Sequence, residues 1–187
     1  MERAVVERSA WVCVAGAAVV GSISGCAQPA GLASEDITNP AMVEINRQFI
    51  EAVDRINADP DKAWHSGWVG NVFVNVLGGE RRGLCYQWQE RVYLEVNPTV
   101  ERVGWKAVGL SVNNNVRHEH HAVLVFDPTL VSRERLLQQP MPRQGFVLDA
   151  WRRGKPDVYT LDMWLEIEKD HTAPFMIEDL TGEDLVP

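Results

Sequence analysis

Cysteine is scarce in this chain of 187 residues: only Cys13, Cys26 and Cys85, two of them within the first 26 positions. The remainder has one thiol and no partner for an internal disulfide. It must be held by a packed core, which a domain of this size can bury unaided. Positive charge is also in short supply. Eighteen Lys and Arg against 26 Asp and Glu leave a formal net charge of -8, which gives a nucleic-acid role little electrostatic support. The apolar run near the N-terminus, Trp11 to Val20, is too short for the ~20 residues that a membrane-spanning helix needs. No internal repeat is visible. What is present is an ordinary globular composition, 45% hydrophobic and 24% charged, with an unusual seven tryptophans.

The N-terminal residues read as a targeting segment. Arg3 and Arg8 lie in a polar lead, the apolar run follows, and Ile23-Ser24-Gly25-Cys26 closes it. A branched apolar residue, two small residues and a cysteine in that order resemble a bacterial lipobox. The resemblance implies a signal peptide over residues 1–25, lipidation at Cys26, and a protein anchored by lipid to the bacterial cell envelope, facing the periplasm or the cell surface. Residues 26–38, small and polar with Pro29, Gly31 and Ser34, read as a flexible tether, which leaves residues 39–187 as the domain.

Within that domain Asn39 and Pro40 predict the cap and first residue of a helix, and Met42, Ile45, Phe49, Ile50, Val53 and Ile56 recur at helical spacing. A weaker helical stretch follows over 61–77. A helix is predicted to begin at Cys85, after Gly83, and to end at Asn97-Pro98. The second half reads as strands over 103–112, 121–126 and 145–151, with a short helix or an irregular insertion over 132–139 between the last two. Residues 159–167 suit a strand or a helix equally, and the acidic tail from Glu168 reads as loosely held. Helices first and strands after give an α+β class: N-terminal helices, a nucleophile at a helix start, and an antiparallel sheet carrying His and Asp.

The chemistry centres on Cys85. Unpaired N–H groups and the dipole at a helix N-terminus favour a thiolate and can hold an oxyanion. In an exported chain an unpaired thiol is a liability unless used. Downstream, His121 opens an apolar run and Asp149 closes another. His118 and His120 would point to the strand face opposite His121, and His121 is favoured as the base because it begins the run. Asn71, Asn75 and Gln87 are candidates for an oxyanion side chain.

Gly83-Leu84-Cys85, His121-Ala122-Val123 and Leu148-Asp149-Ala150-Trp151, in that order, resemble the papain-like superfamily and, within it, the transglutaminase-like peptidase and amidase branch. The resemblance spans roughly residues 80–155. It implies a Cys85–His121–Asp149 triad that attacks an amide or ester carbonyl, releasing the acyl group to water or to an amine, with no cofactor and no metal. The substrate would be a peptide, a protein or a small amide in the envelope. The His-to-Asp connection is longer than in compact transglutaminases, and Asp-Ala stands where Asp-Pro is usual.

Two rival readings use the same residues. His118, Glu119, His120 and His121 with Cys85 would supply zinc or copper ligands, although no familiar spacing completes the set. Alternatively the chain is a non-catalytic envelope lipoprotein that uses such a fold for binding.

Overall fold

The structure, a computed structural model, describes residues 30–60, 64–67, 70, 74, 83–114, 119–138, 144–167 and 175–180. The signal segment, Cys26, most of the expected helix over 61–77, Asn71, Asn75 and His118 lie outside the described residues.

Helix α1 spans Pro40–Asn57; Asn39 Oδ1 accepts from the N–H groups of Ala41 and Met42 and so caps it as its sequence predicts. Met42, Ile45, Phe49, Val53 and Ile56 form its buried stripe. Helix α2 spans Cys85–Arg102 and runs through Pro98 instead of stopping there. Proline removes one helical hydrogen bond, but Val96, Thr99 and Val100 are buried on the inner face, and that packing outweighs the lost bond.

Five antiparallel strands follow: β1 Lys106–Val112, β2 His120–Phe126, β3 Gly145–Asp149, β4 Asp157–Thr160 and β5 Met176–Glu178, in spatial order β4-β3-β2-β1-β5. The fold is therefore α+β. The ambiguous segment resolves into both alternatives, since β4 runs directly into helix α4, Leu161–Ile167; a six-residue helix α3, Arg133–Gln138, precedes β3. The expected loose tail instead supplies β5, whose Ile177 pairs with Leu110 and is buried.

Alternation along the strands explains why the sheet is apolar on both faces. Val123, Val125 and Leu148 pack with α1 and α2, whereas Ala122, Leu124, Phe126 and Val147 pack with Leu136, Tyr159 and Trp164 on the other side.

The described part of the expected tether, residues 30–38, docks on the domain. Leu32 N–H donates to Val158 O at 2.6 Å, Ser34–Asp36 form a single 3-10 turn, and Ile37 is buried against the helix layer. Ile37→Ala is expected to cost about 2 kcal/mol, the low end for a buried isoleucine. A lower urea midpoint at unchanged slope measures it; an unchanged midpoint would return the segment to a tether.

Candidate active site around Cys85

Cys85 is the first residue of α2. Its approach is fixed by a side chain from its own first turn: Gln87 Oε1 accepts from the N–H groups of Gly83 and Leu84 at 3.0 and 3.1 Å. The carbonyl end of Gln87 thus serves as a cap. Gly83 has φ +148°, and a Cβ there would lie 2.5 Å from His65 O, so only glycine fits. Two indoles tie this corner down. Trp88 Nε1 donates to His65 O at 2.6 Å and Trp151 Nε1 to Gly83 O at 2.8 Å. One turn into the helix, buried Gln89 donates from Nε2 to Leu110 O and Ala122 O, fastening α2 to β1 and β2.

The Cys85 sulfur lies 3.8 Å from Glu119 O, in a residue only 7% exposed. Burial pushes the thiol up to about 11. The N–H groups of His121, Tyr86 and Cys85 itself pull the other way, and the Glu119 carboxylate adds to the rise. The helix N-terminus therefore acts as expected but is outweighed by desolvation, and the resting thiol is protonated at neutral pH.

Asp149 pairs with His120, not with the expected His121: Nε2 and Oδ2 are 2.7 Å apart. The reason is the strand period. His120 shares a face with Ala122 and Leu124, and Asp149 shares that face with Val147, whereas His121 falls on the opposite face with Val123. His121 instead places Nε2 2.7 Å from Glu119 Oε1, with the Tyr86 ring edge-on to it.

The His120–Asp149 pair is wholly buried. Burial would raise the Asp149 carboxyl, but His120, the Arg152 guanidinium at 2.9 Å and the Trp164 indole at 3.0 Å hold it well below the usual carboxylate range. Burial likewise lowers His120, and it outweighs the pull of Asp149 in the other direction. His120 is thus a neutral imidazole beside an ionised carboxylate. With Nε2–H given to Asp149, Nδ1 must carry the lone pair, and this atom is buried with no hydrogen-bond partner among the described residues.

Cys85 lies on the α2 side of the sheet and reaches the chain at the start of β2, where the His120 ring is turned to the Trp164 side. The sulfur touches the backbone on both sides of His120, at Glu119 O and the His121 N–H. The His120 ring lies 5.4 Å from Trp164 and 4.9 Å from Trp151, and it is Trp151 that reaches Gly83. Arg152, Trp164 and the His65 backbone were not foreseen. Arg152 three residues after Asp149 at a strand end was a readable signal; Trp164 was hidden in the ambiguous segment.

Among the described residues no group of three His, Cys, Asp or Glu side chains is placed to hold a metal ion, and His120 and His121 face opposite sides, each toward its own carboxylate. Compared with protein-family models, curated proteins and solved structures, the chain matches none.

Proposed function

We propose that this chain is a thiol hydrolase or acyltransferase of papain-like, transglutaminase-like type, acting on amide or ester carbonyls, with Cys85 as nucleophile, His120 as base and Asp149 as the group that orients it. One observation carries the reading: beside the backbone that the Cys85 sulfur touches, His120 has Nε2 fixed by a wholly buried carboxylate and Nδ1 unpartnered among the described residues, whereas His121, whose Nδ1 is unpartnered too, has only the half-exposed Glu119.

The resting pair is neutral, so the proton moves during attack rather than before it. The sulfur adds to the carbonyl carbon as its proton passes to His120 Nδ1, and the imidazolium is balanced by Asp149 through Nε2–H. The N–H groups around Cys85 receive the oxyanion. Because burial lowers the basicity of His120, it returns the proton readily to the leaving amine or alkoxide. Water, or an amine in a transferase, then attacks the thioester and frees the thiol. The lipobox-like Ile23-Ser24-Gly25-Cys26 assigns this activity to the bacterial envelope, on peptide, protein or small amide substrates.

The high thiol favours a second reading, a non-catalytic binding module. Incubation with p-nitrophenyl acetate at pH 7 separates the two. The enzyme reading expects an acetyl thioester on Cys85 by peptide mass spectrometry, a burst of nitrophenolate and its loss in Cys85→Ser. A burst that persists in Cys85→Ser, or no adduct on Cys85, would hand the case to the binding module.

A further inference from the structure

The sheet has a second concave end. Trp105 precedes β1, Asp127 follows β2, and Gln144 and Phe146 lie at the start of β3, so these residues cluster at the strand ends opposite His120 and Asp149. The seven residues of β2 separate the two ends by roughly 20 Å at ~3.3 Å per residue. The docked segment 32–39 lines one side, and the partly open cavity measures about 710 Å³. That lies within the ~300–1,000 Å³ of small-molecule sites.

Its lining has a definite chemistry. Trp105 and Phe146 stack with ring centroids 6.2 Å apart and planes at 18°, forming an aromatic wall. Glu35 and Asp36, exposed on the 3-10 turn, and Asp127, just after β2, are among its lining residues. Asp127 Oδ1 is taken by the Thr129 N–H and hydroxyl. Gln144 Oε1 is buried and meets no donor among the described residues. None of the described lining residues is Lys, Arg or His. The site therefore offers acceptors, negative charge and π-faces, a combination that suits a donor-bearing cation and repels an anion. The aromatic wall and the volume are wrong for a bare metal ion, which needs a compact oxygen cage.

We propose that this cavity binds a small organic cation, an ammonium or guanidinium on an apolar body, with the body against Trp105 and Phe146 and the charge among Glu35, Asp36 and Asp127. Half of its wall is the segment just before the domain, so the site exists only while that segment is docked. The proposal is independent of the chemistry assigned to Cys85.

Calorimetric titration of the full-length chain with tryptamine tests it, with N-acetyltryptamine as the neutral analogue and indole-3-propionate as the anion. Saturable one-to-one binding of tryptamine is expected, weaker by about tenfold or more for the neutral analogue and absent for the anion. Glu35→Gln with Asp36→Asn, both exposed and both checked for an unchanged thermal melt, should weaken tryptamine by a similar factor; Cys85→Ser should not. Phe146→Leu should weaken it too, and if that variant misfolds the carboxylate pair still decides. No saturable binding of tryptamine, equal binding of all three compounds, or parental affinity in the carboxylate variant would overturn the proposal.

Discussion

Asp149→Ala is expected to destabilise the fold by about 3–5 kcal/mol, the range for removing one partner of a buried ion pair. Its Oδ2 takes the Nε2–H of His120, the Nε–H of Arg152 and the indole N–H of Trp164. Alanine leaves all three donors, one of them a cation, without their acceptor in a site where Asp149 is 1% exposed. Against a total stability of about 5–15 kcal/mol this is a large fraction. Urea unfolding at pH 7 measures it; a loss under about 1 kcal/mol would show the network to be slack.

The same pair predicts the acid limb of stability. Asp149 is lowered in the fold, so its contribution is complete above the unfolded value of ~3.9 and disappears as pH falls toward its folded value. His120 is also lowered, but it is a base: below ~6.5 the unfolded chain takes a proton that the folded chain refuses, so stability already declines there as pH falls. His120→Ala should flatten the slope between about 6.5 and 4, and Asp149→Asn the slope below about 4. Cys85 sets the alkaline limb in the opposite sense: its contribution is whole below ~8.5 and is lost as pH rises to about 11.

The second large effect concerns the base. His120→Ala is expected to slow acylation of Cys85 at pH 7 by ~10²–10⁴, the usual contribution of a positioned general base. His121→Ala should leave the rate near the parental value, because His121 is held by the half-exposed Glu119 and not by a buried carboxylate. Asp149→Asn should also slow acylation while changing shape little, since an amide can hold the imidazole in the wrong tautomer. The pattern matters more than any one value. Loss in His121→Ala with His120→Ala spared would reassign the base to His121 with Glu119 behind it, and leave His120–Asp149 as a buried brace.

The sequence announces the parts of this site better than their pairing. Cys85 at a helix start is legible because Gly83 marks the break and Leu84, Trp88 and Val92 repeat at helical spacing. Asp149 is legible as the end of an apolar run. The choice between His120 and His121 is not, because both precede the same run, and what separates them is the face that Asp149 occupies, a matter of strand parity across 29 residues. The end of α2 is missed because Pro98 argues locally for a stop, while the burial of Val96 and Val100 that carries the helix onward is tertiary. The docking of 30–38 is missed for a similar reason. In that stretch Ile37 inserts into the helix-side core and a partly buried Leu32 packs against it, and two apolar residues five apart have no periodicity to read.

That docking also bears on how the protein behaves in a crowd of its own copies. β4 is the outer strand of the sheet, and Val158 O, on the side away from β3, is taken by the Leu32 N–H, with Gly31 pressed against the Val158 backbone. An outer strand with free carbonyls is a template on which another chain can add. The segment leading into the domain therefore acts as an edge guard. A chain cut between Leu32 and Pro40 loses that guard together with the Ile37 contact, and its characteristic fault is edge-to-edge self-association rather than simple unfolding.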